Sequence, residues 1–309
     1  MQSVPATKQK NVQLGKKTTG NLSKCVTPWL FMIPALLPLC VFYLYPIFYS
    51  FYISFTDWDY ISPEVNFVLF ENYYYLLTDP IFYQVLVNTL YFMLGTVLPT
   101  VVGGLLLAML ISNKQKGMSI YRTIIFSPWV TPTVAISIVW SWIYEPDVGL
   151  ANWLLSLINL PALGWTSSTT WAMPAVIIVT VWKGVGWAMI FYMHALKTVP
   201  SSLYEAADLD GAGRFKKFIH ITIPLISPTT LFLVIITMID AIQAYDQIQV
   251  MTQGGPAGST RTILYMFYQA AFEQFDMGRA TALSTILVII TGMLAAVQFY
   301  VSRKWVHYQ

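Results

Sequence analysis

The sequence predicts an all-α polytopic membrane protein with six transmembrane helices. Three observations predict it. Hydrophobic residues make up 56% of the 309 positions and charged residues only 10%, against about 25% charged in a soluble domain. Long intervals contain no Asp, Glu, Lys or Arg. The basic residues that remain fall almost entirely at one set of connections.

A helix needs about 20 mostly apolar residues to cross a hydrocarbon core of about 30 Å. The charge-free intervals 25–56, 80–113, 123–144, 218–239 and 280–302 supply five such helices. The run 172–196, broken only by Lys183, supplies a sixth. The first run is too long for the apolar region of a cleaved signal. Cys25 follows Leu-Ser-Lys, a faint echo of a lipoprotein cleavage site, but no apolar region precedes it. Cys25 falls near the membrane surface and Cys40 within an apolar run, so no disulfide is expected between them. The chain also carries 11 Trp, 19 Tyr and 18 Phe. Such rings favour membrane interfaces, where one edge stays wet. Trp140, Trp142, Trp153 and Trp165 read first as interface anchors of this kind.

Orientation follows from Lys and Arg, which stay on the cytoplasmic side of short loops. The N-terminal tail, the second and fourth connections and the C-terminus hold 14 of the 17 basic residues, from Lys8 to Lys304. The opposite loops are acidic, with Asp57, Asp59, Glu64, Glu71, Asp79, Glu145 and Asp147. Both termini are therefore expected in the cytoplasm. Residues 1–24 read as a mobile basic tail that fixes topology and touches anionic lipid. Residues 25–309 read as the transmembrane domain.

Little catalytic chemistry is legible. The tail contains Gly-Lys-Lys-Thr, but the frame of a phosphate-binding loop is absent, since Lys10 stands where its first glycine would be. His194, His220 and His307 are far apart in sequence, and no His/Cys cluster has metal-ligand spacing. No cofactor and no nucleic-acid partner is expected for this chain.

The loop 198–224 is the most polar interior stretch. Ser202 stands three residues before Glu205, the spacing of a capping box, and predicts a short helix through Leu203, Tyr204, Ala206 and Ala207. Asp210-Gly211 predicts a turn. A second short helix is expected near Gly213-Arg214, with Phe215, Phe218 and Ile219 on one side and Lys216 and Lys217 on the other. A helix merely resting on lipid would explain the lysines but not the Glu-Ala-Ala start or the glycine at its offset.

The pattern Glu205-Ala206-Ala207, then Gly211, then Ile221-Thr222-Ile223-Pro224 resembles the cytoplasmic loop of permease subunits in binding-protein-dependent ABC importers. The one departure is Ile223, where that family usually has Leu. The segments 127–155 and 251–272, the latter with Gly254-Gly255-Pro256, resemble the carbohydrate-uptake branch, which includes maltose and glycerol phosphate permeases. The resemblance covers nearly the whole chain from Trp29. It implies a bacterial or archaeal cytoplasmic membrane, a second homologous permease subunit, two ATPase subunits that hold ATP and Mg, an extracytoplasmic solute-binding protein and a sugar substrate. It implies that Glu205, Ala206, Ala207, Asp208, Gly211 and Phe215 contact an ATPase subunit.

A solute path is sought among polar groups at membrane depth. A charge there costs roughly 2.5–3.5 kcal/mol on insertion scales, so Lys183 should face the bundle interior or a wet cavity. It would bind solute or pair with an acid on another helix. Asp240, Gln243 and Gln247 stand at i, i+3 and i+7 and should share one helical face, either lining the path or bonding helix to helix. Tyr245 and Asp246 are expected near the outer mouth, simply solvated. The rival function is an ion-gradient-driven secondary carrier, which favours inverted repeats and broken helices; the sequence shows no such repeat. A membrane-bound enzyme would need a reactive cluster that the sequence lacks.

Overall fold

The computed structural model describes residues 21–111 and 117–305. Most of the basic tail, with Lys114, Lys116 and His307, lies outside the described residues. The chain separates into two units, one ending at Tyr49 and one starting at Ser50.

In the first unit, α1 (Asn21–Leu39) runs into a π-helical segment, Cys40–Leu44, and then into the first residues of α2 (Tyr45–Ile53), which continues beyond the unit's end at Tyr49. Pro28, Pro34 and Pro38 lie inside α1. Each removes a helical N–H and crowds the turn before it; Pro46, just inside α2, does the same to the π-helical turn that precedes it. None of the unit's described side chains is buried. An apolar helix this open requires lipid or a partner chain around it.

The second unit is a helical bundle. The loop between α2 and α3 is closed by an antiparallel bridge, Thr56 to Phe67. Asn66 donates to Asp57 from its amide side chain and its backbone, and Ser62 donates to Asp59 from its hydroxyl and its backbone N–H. These bonds hold both carboxyls below the usual carboxylate range, because they favour the charged form. The chain continues through α3 (Glu71–Thr78), α4 (Pro80–Ile111), α5 (Met118–Val130), α6 (Thr133–Ile143), α7 (Leu150–Leu157) and α8 (Ala172–Thr198). It then forms α9 (Ser201–Leu209), α10 (Arg214–Lys217), α11 (Ile223–Leu225), α12 (Ser227–Ile242), α13 (Asp246–Met251), α14 (Ile263–Tyr268) and α15 (Met277–Trp305).

Four helices are long and apolar enough to cross a membrane alone: 31–53, 80–111, 172–198 and 277–303. Two helix pairs pass the same test only when taken together, and each is bent. α5 and α6 meet at 100°, and the segment 214–225 meets α12 at 64°. Counted as one span each, they complete the six that the sequence predicts. The first bend has a local cause. Pro132 disfavours helical backbone in the residue before it, and Thr131 is extended, with φ −75° and ψ 138°. The second bend lies at Ile226, between Pro224 and Pro228, where the Ser227 hydroxyl donates to the Pro224 carbonyl at 2.6 Å.

α4 and α8 form the centre of the bundle. Lipid gives apolar helices no hydrophobic reason to associate, so close backbone approach through small residues takes its place. A methyl group on Gly104 would lie 2.6 Å from the Ala188 Cβ. One on Gly186 would overlap the Ile125 carbonyl of α5. Hydroxyls along these helices return to their own backbone: Thr89 donates to the Val85 carbonyl and Thr180 to the Val176 carbonyl. They are thereby satisfied without water.

Candidate functional site

The loop 198–224 folds as a helical hairpin. α9 starts at Ser201, with Pro200 at its N-cap and no side-chain cap bond. The capping box expected from Ser202 and Glu205 is therefore not formed. Pro200 instead starts the helix, and Ser202 lies within its first turn. The C-terminal end is a Schellman motif. The Ala212 N–H donates to the Ala207 carbonyl at 2.8 Å and the Gly211 N–H to the Asp208 carbonyl at 3.1 Å. Gly211 has φ +69°, and a Cβ there would meet nothing within 4 Å. This chain thus requires glycine for its backbone conformation and not for space.

Two side-chain ties close the hairpin. Lys217 Nζ meets Asp208 Oδ1 at 2.6 Å, and the Tyr204 hydroxyl shares a hydrogen bond with Thr222 Oγ1 at 2.9 Å. Asp208, a predicted contact residue, thus has a partner within the chain. The outward surface is free. Glu205 and Ala206 are exposed, and the apolar Leu209 and Phe215 are 91% and 74% exposed. Exposed apolar side chains and a carboxylate on a hairpin tied by its own side chains are suited to a protein surface with matching charge.

The second feature is a cavity of about 350 Å³ among α4, α5, α6, α8, α12 and α13. Lys183, Asp240, Gln243 and Gln247 all line it. The structure thus brings together the four predicted path residues, but not as predicted. Asp240, Gln243 and Gln247 do not share the face of one helix. α12 ends at Ile242 and α13 begins at Asp246, because Gln243 and Tyr245 leave the helical backbone. The break turns Tyr245 and Asp246 into the same cavity, where the sequence suggested only a solvated mouth. The other bend, at Thr131-Pro132, borders it too, since Trp129 and Thr133 are lining residues. Irregular backbone at membrane depth is tolerated where it faces a cavity or is buried in protein.

Lys183 does not pair with Asp240. Among the described residues the ion pairs within 4.0 Å are Lys217–Asp208 and Arg279–Asp276. The Lys183 ammonium lies 5.1 Å from the centroid of the Trp129 ring and donates to the Trp129 carbonyl at 3.4 Å. That carbonyl is one of the last of α5, which lack helical donors. Gln247 is buried and donates to Thr180 Oγ1 at 3.4 Å, so it joins α13 to α8 as well as facing the cavity. Trp129 stacks on Trp187 at 5.2 Å, and Trp187 meets Phe191 at 4.8 Å. Trp129 and Trp187 line the cavity and give it an aromatic wall.

Trp165 is a correction. It is buried, stacks on Tyr144 at 4.8 Å, and donates through Nε1 to Asn152 Oδ1 at 2.8 Å. It is a core residue of the loop 144–171 and not an interface anchor, whereas Trp142 and Trp153 are exposed. Asn152, which the sequence did not single out, organises that loop. It also accepts from the Leu163 N–H and donates to the Pro146 and Leu163 carbonyls. The segment with Gly254-Gly255-Pro256 is likewise fixed from inside. Asn88 Nδ2 donates to the Gly258 and Arg261 carbonyls, and Thr260 donates to the Gly255 carbonyl.

Residues 100–306 match the family described as binding-protein-dependent transport system inner membrane component. The chain belongs to that family. It is a multi-pass membrane permease of the ABC-importer type. The lactose transport system permease LacF of Rhizobium radiobacter is 34% identical over 285 residues, 90% of this chain and 95% of that protein. The diacetylchitobiose uptake permease NgcF of Streptomyces coelicolor is 35% identical, over 85% of this chain and 78% of its own length. The trehalose/maltose permease MalF of Thermococcus litoralis is 31% identical, over 85% and 90%. Among solved structures, a bacterial ABC transporter that imports alginate has the same fold, with a TM-score of 0.79 over 92% of this chain and 97% of that one, at 21% identity. The broken helices at the cavity therefore occur in an importer permease and give no support to a secondary carrier.

Proposed function

We propose that this permease is one of two membrane subunits of an ATP-driven sugar importer. The cavity around Lys183 lies on the solute path, and the hairpin 201–222 docks onto a partner ATPase. The observation that carries the reading is the hairpin itself. Its inner face is closed by Asp208–Lys217 and Tyr204–Thr222, while Glu205, Ala206, Leu209 and Phe215 face outward. A rigid element with an unsatisfied outer face transmits force to whatever it seats in. Sugar as cargo is supported by relatives named for lactose, diacetylchitobiose and trehalose/maltose transport. ATP and Mg belong to the ATPase partners, a solute-binding protein delivers cargo at the acidic loops, and both termini face the cytoplasm with the hairpin.

Transport follows by alternating access. ATPase closure moves the hairpin, the helices hinged at Thr131 and at 243–245 change their packing, and the cavity opens to the other side. The ligand shifts this equilibrium only by its difference in affinity for the two states. The test is reconstitution. The purified chain alone should neither hydrolyse ATP nor transport, and adding the second permease, the ATPases and the binding protein should restore both. Sustained hydrolysis by the isolated chain would overturn the assignment.

A further inference from the structure

Among the cavity's lining residues the side-chain charges are one ammonium, Lys183, and two carboxylates, Asp240 and Asp246. The ammonium is engaged by the ring and carbonyl of Trp129. Neither carboxylate receives a hydrogen bond or an ion pair within 4.0 Å from a described residue. The backbone does not reverse this balance. The cavity borders the C-terminal ends of α5 and α12 but also the N-terminal ends of α6 and α13, and their partial charges oppose one another.

We propose that this permease selects against anionic solutes at the cavity, and that its cargo is an uncharged or amino-bearing saccharide rather than a uronate or a sugar phosphate. The inference rests on the solute-path reading. An ionised carboxylate only accepts hydrogen bonds. Two unpartnered ones suit the hydroxyls of a neutral sugar, which donate, and repel a carboxylate or phosphate brought into a site of low dielectric. Asp240 and Asp246 are then specificity-determining residues, and Lys183 limits the excess of negative charge.

The test reads the cavity's charge without knowing the sugar. In the complete transporter in proteoliposomes, Cys25 and Cys40 are changed to Ser and Gln243→Cys is introduced as a reporter. Thr133→Cys serves as a second reporter in a separate preparation. Each is treated with a cationic trimethylammonium-ethyl and an anionic sulfonatoethyl methanethiosulfonate, with rates divided by those for a free thiol. The cationic reagent should react faster by about tenfold or more, the scale of charge focusing in a cleft. Asp240→Asn with Asp246→Asn should bring the ratio to parity or below, which also separates these groups from charges on the second permease. Parity or an anionic preference in the unaltered cavity, or a cationic preference untouched by the double change, would overturn the charge selection alone. Failure of both reporters to react with either reagent in assembled, ATP-hydrolysing transporter would remove the solute-path reading and the inference with it.

Discussion

The hairpin 201–222 and the cavity around Lys183 are built by opposite means. In the hairpin the hydrogen bonds and the ion pair named above are local: Ala212 to Ala207, Lys217 to Asp208, Tyr204 to Thr222. Its internal donors and acceptors are spent on one another, and Glu205, Ala206, Leu209 and Phe215 stay exposed. The cavity draws on six helices, from Thr96 on α4 to Gln247 on α13. Its charged groups are not spent on one another, since Lys183 is held by Trp129 and both carboxylates stand open. A local unit achieves rigidity cheaply and exposes its working face. An assembled site depends on the packing of the whole bundle, and that packing leaves both carboxylates without a hydrogen-bond partner among the described residues.

The sharpest way to break this comparison is to disturb the bundle without touching the cavity. Gly186→Leu would drive a side chain into the Ile125 carbonyl, which cannot move as a side-chain tip can. The expected cost is about 3 kcal/mol or more, read as loss of protein from the membrane. Leu209→Ala, on the hairpin's outer face, should leave the protein level normal. A normal level for Gly186→Leu would show that the α5–α8 contact does not hold the cavity together.

Gly211 sharpens the comparison on the hairpin side. A side chain there meets open space, so only the left-handed backbone resists substitution. Gly211→Val should cost about 1–2 kcal/mol of local stability and lower uptake, whereas Gly211→Asn, which tolerates this backbone, should retain most of it. Equal loss in both variants at normal protein level would mean that a partner surface needs the space.

In the cavity, Lys183→Met should lower uptake at normal protein level. Removing one member of a buried ion pair would cost about 3–5 kcal/mol, but Lys183 has no such pair. Lys183→Met combined with Asp240→Asn should therefore not recover anything that the single change lost, and thermal melts of the purified variants should add within about 1 kcal/mol. Recovery of expression in the double variant would establish a structural pair. The smallest effect is expected at Asp208→Asn. Its bond to Lys217 is largely exposed, and exposed pairs are worth about 0–1 kcal/mol. Uptake should change little, which separates Asp208 from Glu205.

How much of this was legible in the sequence tracks the same division. The hairpin's turn at Asp210-Gly211 and the start of α10 after Gly213 were readable, because a left-handed glycine and a helix start are set by neighbouring residues. The capping box does not form because Pro200 offers an equally local start two positions earlier. The long apolar helices were readable from hydropathy. The break after Ile242 was not, since no Gly or Pro marks it and Asp240, Gln243 and Gln247 kept a helical spacing across it. Asp246 was consequently placed outside the cavity that it lines. Trp165 was misplaced for a related reason. Its burial depends on Asn152, 13 residues away, and on Tyr144, which no local pattern reveals. The Thr131-Pro132 bend did carry a signal, the proline itself.

The central claim is that hairpin and cavity do separable work in one cycle, coupling and passage. It is tested by measuring ATP hydrolysis and sugar uptake on the same proteoliposomes, containing the complete transporter, for the unaltered chain, Glu205→Lys and Lys183→Met. The account predicts that Glu205→Lys, whose exposed carboxylate is reversed in sign, loses both activities together with co-purification of the ATPase. It predicts that Lys183→Met keeps ATPase binding and hydrolysis but loses uptake. Full uptake and full ATPase binding by Glu205→Lys would contradict it.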